Sequence, residues 1–396
     1  MKGYTATSPD GEAIYYVDRK RWLWALSVVY PLQPLLGIWL HANTGNEAWL
    51  FLPLLLNYGL APLIDWLIGE DHNNPPEAVI MQLDRDPYYR RLTWIVVPLH
   101  FVALIGTAWY AGTQDLSPGA VLGLAVIAGM VSGLAINTGH ELGHKNSAFE
   151  KRLAKIVLAV AAYGHFTIEH NRGHHRDVAT PEDPASARMG ESIYRFALRE
   201  IPGAIRRGWA FEKERLNRRG KSAWHPDNQI LQSYALTALL SVVLIAVFGW
   251  IMIPFLLVHN FFAWWQLTSA NYIEHYGLLR TRDDSGKLEP CQPHHSWNSN
   301  HIFSNLVLFH LERHSDHHTH PLRRYQSLRH YENLPQLPSG YFGAYLLAYV
   351  PPLWFRVMDP RLLALPHVQG DLDRVNIHPP AHVSILERYG RGAGIG

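Results

Sequence analysis

The sequence predicts an all-α membrane protein: six transmembrane helices arranged as three hairpins, topped by a helical, histidine-rich cytoplasmic cap. Three observations predict it. Six apolar runs each approach the roughly 20 residues that a helix needs to cross a bilayer. Lys and Arg avoid these runs and their outer links, so all 35 fall on one side of the hairpins. The third observation is that nine of the 24 histidines cluster where apolar runs end or in the polar segments beyond them.

The runs lie near 22–41, 48–68, 91–112, 117–139, 231–248 and 251–271. Short links join them in consecutive pairs, which makes three hairpins. No Lys or Arg occurs from 22 to 84, from 92 to 144 or from 222 to 279, and the first two outer links carry Glu47 and Asp115 instead. Basic residues are retained on the cytoplasmic side of a membrane. Both termini and the segments 69–90, 140–230 and 272–396 are therefore expected in the cytoplasm. A soluble bundle with buried hairpins would give no reason for such one-sided charge. The mean hydropathy of −0.09 conceals this segregation of apolar and polar stretches. A further apolar run, Tyr341–Trp354, is too short to span and is broken by Pro351 and Pro352, so it is expected to be an interfacial or packing segment. The first twenty residues are polar, and no cleavable signal is evident. The chain reads as one domain of 396 residues.

Composition excludes several classes. A net charge of +2 gives no footprint for nucleic acid. Cys291 is the only cysteine, so the chain can form no internal disulfide and hold no Cys₄ iron site. Any thiolate-ligated electron carrier must be a separate chain. The 14 Trp and 19 Tyr suit residues placed at membrane interfaces.

The clustered histidines are His140 and His144 in HELGHK, His170, His174 and His175 in EHNRGHH, His275 in NYIEHYG, and His314, His317 and His318 in LERHSDHH. Helix positions i and i+4 share a face. His140 with His144, and His170 with His174, are each spaced to clamp one metal ion. His314 shares a face with His317 or His318. The doubled pairs His174/His175 and His317/His318 diverge by about 100° on a helix, so each pair can serve two ions. Nine imidazoles suit two metals, which makes the cap a di-metal cap. Imidazole binds Fe, Zn, Cu and Ni, so the histidines alone do not name the metal. Each cluster also carries an acid: Glu141, Glu169, Glu274 and Asp316. These carboxylates can offset the metal charge and accept the second ring N–H of a ligand histidine.

The other histidines carry blander expectations. His41, His100 and His259 lie in apolar runs as hydrogen-bonded residues. His72, His225, His330, His367, His378 and His382 read as surface residues. His165, His294, His295, His301, His310 and His320 lie near the clusters in sequence without matching their spacing.

Three chemistries compete for the clusters. His140-Glu141-Leu142-Gly143-His144 matches the H-E-x-x-H of zinc peptidases, but a peptidase leaves seven clustered histidines unexplained. A metal transporter places its ligands near the bilayer midplane, where this chain has few ionisable residues, His100 and His259 among them. Membrane fatty-acyl desaturases and lipid hydroxylases use three histidine boxes, which these clusters fit loosely.

A closer resemblance then emerges. HELGHK, EHNRGHH, NYIEHYGL and LERHSDHHT resemble the motifs HELxHK, EHxxGHH, NYxEHYGL and LQRHSDHHA of the integral-membrane alkane 1-monooxygenases. The flanking HSWNSNHIFSNLVLFH and GEDHNNPPE also look like that family, and the resemblance runs from the first hairpin to about residue 330. Glu312 stands where the family has Gln, and Thr319 where it has Ala. Close relatives of the family act on xylene side chains. The resemblance implies a membrane-embedded catalytic domain in a bacterial inner membrane. It implies two Fe ions held by the nine histidines, with no haem or flavin in this chain. It implies a separate rubredoxin as electron donor, fed by an NAD(P)H-dependent rubredoxin reductase. The implied reaction is hydroxylation of the terminal methyl of medium-chain n-alkanes to 1-alkanols, with one oxygen atom of O₂ entering the product and the other leaving as water.

Terminal selectivity must come from shape, because a terminal C–H is intrinsically less reactive than an internal one. Trp49, Leu54, Tyr58 and Trp66 on the second run are expected to set the depth of an apolar channel. Arg323, Arg324 and Arg329 are expected either to dock an acidic rubredoxin or to contact the membrane surface.

Overall fold

The computed structural model describes residues 2–8 and 10–390. It opens on a hairpin that the all-helical expectation lacked: β1 (Gly3–Thr7) pairs antiparallel with β2 (Ala13–Val17). Tyr4 anchors the hairpin. Its ring is buried, and its hydroxyl donates to Asp86 at 2.6 Å.

The first two helices are α1 (Leu23–Thr44) and α2 (Glu47–Ile68). α1 is irregular where Pro31 and Pro34 remove N–H donors, and a 3₁₀ turn covers Tyr30–Leu32. It ends at Gly45, whose φ of 70° closes the turn into α2. After α3 (Glu77–Arg85) come the long helices α4 (Pro87–Thr113) and α5 (Pro118–Gly143). Asp86 and Ser117 cap their N-termini by accepting the N–H of Tyr88 and Ala120, and a proline occupies each first turn. α6 (Ala148–Leu158), the irregular α7 (166–177) and α8 (Ile193–Asn217) form the cap between the second and third hairpins. α9 (Gln229–Phe248) and α10 (Met252–His275) make the third hairpin, turned at Gly249. The cap is completed by α11 (Ile302–Val307), α12 (His314–Thr319), α13 (Tyr341–Ala348), α14 (Pro351–Leu363) and α15 (His382–Tyr389).

Among the described residues, five helices are long and apolar enough to cross a membrane: α1, α2, α4, α5 and α9. α10 has the length but a more polar composition. Its polar side chains turn inward. His259 meets Ser132 at 2.8 Å, Gln266 accepts from Tyr58 at 3.1 Å, and Asn271 donates to Glu200 at 3.2 Å.

The contact between α5 and α10 is the most extensive helix pair in the molecule. Gly129 and Gly133 make it possible. A Cβ at Gly129 would strike the carbonyl of His259, and one at Gly133 would strike Gln266. The residue numbers of the two partners rise together, so the helices run parallel. Their C-terminal ends therefore emerge at one level, with His140 on α5 and His275 on α10.

The expected packing segment 341–354 forms α13 and the start of α14. Tyr341, Phe342, Tyr345 and Trp354 are buried with Tyr272 and Tyr276 of the α10 end in one apolar cluster. Asp359 lies under this cluster and accepts the hydroxyls of Tyr276 at 2.8 Å and Tyr389 at 3.3 Å. Burial raises its pKa from 3.8 to about 6. A carboxyl raised in the folded state holds its proton there longer than in the unfolded chain. Its stabilising contribution is complete below about pH 4 and is lost as pH rises through about 6. Asp359→Asn is expected to flatten the melting temperature between pH 4 and 6.5, measured by thermal scans of both proteins. An unchanged slope would remove Asp359 as the source.

Candidate metal centre

Four elements deliver the nine histidines. The end of α5 carries His140 and His144, α7 carries His170, His174 and His175, the last residue of α10 is His275, and α12 carries His314, His317 and His318. They converge as two groups whose ligand atoms lie within 4.8 Å of one another: His140, His144, His170, His175 and His317, and His174, His275, His314 and His318.

His140 and His144 share a group, as their i, i+4 spacing requires. His170 and His174 do not, contrary to the spacing argument. The cause is a π-helical turn over His170–His174. A π turn brings i and i+5 together, so His170 faces His175, with their Nε2 atoms 3.1 Å apart. Gly173 sits in this turn where Arg207 packs, and a Cβ there would lie 2.6 Å from the guanidinium Nε. The doubled pairs split between the groups as expected.

Successive left-handed residues, Phe309 and His310 (φ 53° and 55°), turn the chain into α12. Such backbone costs on the order of 1–3 kcal/mol per residue and needs support from its surroundings. His310 supplies some, with its Nδ1 2.9 Å from the carbonyl of Tyr325.

The ring nitrogens meet at distances that fit bound metal. His140 and His317 approach to 2.8 Å through Nε2, His175 and His317 to 3.1 Å, His174 and His318 to 3.2 Å, His275 and His314 to 3.2 Å, and His314 and His318 to 2.9 Å. Two nitrogens bound at right angles with bonds of about 2.1 Å stand about 3.0 Å apart, and tetrahedral ones about 3.4 Å. The observed edges are of the size that neighbouring donors on one ion require. His144 Nε2 is buried and has no hydrogen-bond partner. Burial, reinforced by the neighbouring rings, holds His170, His175, His314, His317 and His318 well below the usual histidine range. Neutral imidazoles present the lone pairs that a metal requires.

The four expected acids behave differently from one another. Glu141 pairs with Lys145 at 3.1 Å, Glu169 pairs with Arg207, and Asp316 pairs with Arg323 at 2.7 Å. None of these three carboxylates accepts from a ring of the nine histidines. Glu274 stands at the site itself. Its Oε2 lies 3.4 Å from His314 Nε2, the nitrogen that also faces His275 and His318, and its Oε1 accepts the Tyr341 hydroxyl at 2.8 Å.

The carboxylate that holds a clustered ring is one the sequence reading missed. Asp183, fully buried, meets His174 Nδ1 at 2.9 Å and takes Arg207 at 2.6 Å. Burial opposes charge on both groups, yet the pair prevails. Asp183 moves below its ordinary range and His174 moves up. His275 Nδ1 is held at 3.3 Å by the carbonyl of His295. No spacing rule pointed to Asp183, which lies in the turn-rich TPEDPAS.

A largely apolar cavity reaches the histidines from the helix bundle. His140, His170, His314 and Glu274 close one end, and Met130, Leu134, Leu267, Leu308, Phe342 and Tyr345 supply much of the apolar wall. Trp49, Leu54, Tyr58 and Trp66 do not line it. Trp66 is 76% exposed, on the outer face of its helix. Asn57 lines the cavity instead, because the π turn over Leu56–Leu60 rotates this stretch. The three expected docking arginines each have an acidic neighbour. Arg323 and Arg329 pair with the exposed Glu77 at 3.6 and 2.9 Å, and Arg324 pairs with the buried Glu150 at 3.0 Å.

Most other histidines are partnered away from the centre. His165 meets Tyr234, His100 meets Thr138, His41 meets Tyr110 and His320 meets Asp316.

Comparison with known proteins agrees with this architecture. The fatty acid desaturase family model matches residues 116–350, a stretch that contains all nine histidines. The chain is 55% identical over 382 residues to an alkane 1-monooxygenase of Alcanivorax borkumensis, covering 96% of this chain and 94% of that one. It is 56% identical over 376 residues to an alkane 1-monooxygenase of Ectopseudomonas oleovorans, covering 95% and 93%. A more distant relative is the xylene/toluene monooxygenase hydroxylase component of Pseudomonas putida, 28% identical over 286 residues, or 70% of this chain and 75% of that one. Peptidase and transporter readings have no place beside such similarity, and the apolar helices make the molecule an integral membrane protein. With its motifs, histidine groups and near full-length similarity in agreement, the chain belongs to the alkane 1-monooxygenase family of oxidoreductases, within the wider fatty acid desaturase group.

Proposed function

We propose that this chain hydroxylates the terminal methyl of medium-chain n-alkanes to 1-alkanols, using O₂, two histidine-held iron ions and electrons from rubredoxin. The observation that carries the reading is the meeting of an apolar cavity with both histidine groups at one end. His140, His144, His170, His175 and His317 would hold one iron, and His174, His275, His314 and His318 the other. Iron supplies the activation of O₂ that no side chain can perform. The protein does the rest. Leu134, Leu308 and Phe342 give the wall apolar surface, and the polar Asn57, Asn137, Gln266 and Asn271 that also line it are hydrogen-bonded within the protein, which favours a chain lying along the cavity with its methyl toward the histidines. Glu274 is the acid at that end and is placed to exchange a proton through its Oε2. Asp183 keeps His174 in the tautomer that presents Nε2.

The same reading makes α10 the sixth crossing, its inward-facing polar residues being shielded from lipid by α5 and α8. It puts both termini and the cap in the cytoplasm of a bacterial cell, within reach of a soluble rubredoxin and its NAD(P)H-dependent reductase.

The test is a product assay. Iron-loaded protein with octane, isotopically heavy O₂, rubredoxin, its reductase and NADH is expected to give 1-octanol carrying one heavy oxygen. Unlabelled alcohol, or none despite a demonstrated electron supply, would sink the proposal. Acyl-chain substrates and desaturation would then be tested. The xylene side-chain alternative is checked in the same apparatus, with octane turnover expected to exceed xylene turnover.

A further inference from the structure

A second, smaller cluster of ligating side chains lies outside the nine-histidine centre. Glu289, His294 and His295 bring one ligand atom each within 4.8 Å of the others. His367, from the loop after α14, joins them, its ring 4.4 Å from that of His294. Its Nε2 is buried without a hydrogen-bond partner, and so is Nε2 of the fully buried His295.

The four residues differ in what they can offer. His295 Nδ1 accepts the amide N–H of Gln292 at 2.9 Å. In the neutral ring the proton therefore sits on Nε2, which points at Glu289 Oε1 at 3.5 Å. That proton rules His295 out as a metal ligand, and at 3.5 Å the ring faces the carboxylate without bonding it. Thr281 donates its N–H at 2.6 Å and its hydroxyl at 2.9 Å to the same Oε1. Glu289 is thus fixed by one oxygen, and its other oxygen is free of these bonds.

We propose that Glu289, His294 and His367 bind a third divalent cation of the zinc class, with Thr281 orienting the carboxylate. Two imidazoles with one carboxylate suit Zn²⁺ or Co²⁺ and disfavour Mg²⁺ or Ca²⁺, which take all-oxygen sets. A carboxylate held by outer hydrogen bonds is the usual support of such a ligand. The cation would tie the loop at 281–295 to the loop after α14. This clamp lies directly behind the main centre, because the carbonyl of His295 holds His275 Nδ1.

The test is a Co²⁺ titration of the full-length, iron-loaded protein in lipid nanodiscs, with iron and cobalt counted together. One Co²⁺ per chain is expected beyond the retained iron, with the visible absorption of a low-symmetry cobalt site. His294→Gln and His367→Gln, both on half-buried loop residues, are each expected to weaken this binding by at least about 10-fold with iron content unchanged. Glu289→Gln is expected to do the same. No extra cobalt, cobalt gained only in exchange for iron, or binding unmoved by all three substitutions would overturn the proposal.

Discussion

His318→Gln is expected to lower the iron content from two ions per chain toward one and to cut octane hydroxylation by more than about a hundredfold. His318 belongs to the smaller group, where its Nε2 lies 2.9 Å from His314 and 3.2 Å from His174. Losing one of four imidazoles removes a donor outright, whereas lesser changes around a metal already cost about 10–100-fold in affinity. His317→Gln, one residue away, is expected to empty the other group, because its Nε2 meets His140 and His175. The two variants should therefore retain irons with different spectra, and the double variant should bind none. Glutamine fills much of the same space, so melting temperature checks that the fold survives. Metal removal is itself expected to lower that temperature, since binding free energy to a site absent from the unfolded chain is folding free energy. Two irons retained in His318→Gln would refute the grouping.

The contrast between these neighbours shows what the sequence made legible. The split of His317 from His318 follows from 3.6 residues per turn and was readable from HSDHH alone. The partner of His170 was not readable. EHNRGHH fits a regular helix as well as a π turn, and the choice is made by Arg207 packing on Gly173 from a helix more than 30 residues later. Asp183 was hidden for a similar reason. Its distance from His174 is set by the turn at 177–186, and spacing rules describe only regular helices. The hairpin at the N-terminus was legible but passed over, since Ser-Pro-Asp-Gly between alternating residues is a turn signal with a known mechanism. The five apolar spans were plain because lipid-facing residues must be apolar whatever their neighbours. α10 was legible as a long run, but the reason for its polar residues appears only with α5 and α8 against it. Of the expected channel residues Trp66 lies on the outer face and Tyr58 reaches Gln266 of the cavity wall, while the irregular turn in α2 places Asn57 in the wall itself.

Asp183→Asn is expected to lower iron affinity by about 10–100-fold, with the loss confined to the group that contains His174. The reason is a tautomer. Asp183 accepts from every neighbour: Arg207 at 2.6 Å and the Ala185 N–H at 3.2 Å on Oδ1, and the Ser186 hydroxyl at 2.7 Å and His174 Nδ1 at 2.9 Å on Oδ2. An asparagine offers only one accepting atom. Keeping it toward Arg207 turns the amide NH₂ toward His174, whose Nδ1 must then accept. The ring proton moves to Nε2, the atom that faces His318 and would bind iron. The side chain keeps its shape, but the ring presents a proton where a lone pair is needed. Stability falls as well, because Arg207 loses one of its buried anionic partners, at a cost of up to about 3–5 kcal/mol. Glu169 and Asp177 remain beside Arg207 and limit that cost. Two readouts separate the effects. Thermal melting of the metal-free proteins reports the lost ion pair, and iron titration of the folded variant reports the tautomer. Full iron affinity in the variant at neutral pH would show that His174 holds its tautomer without Asp183.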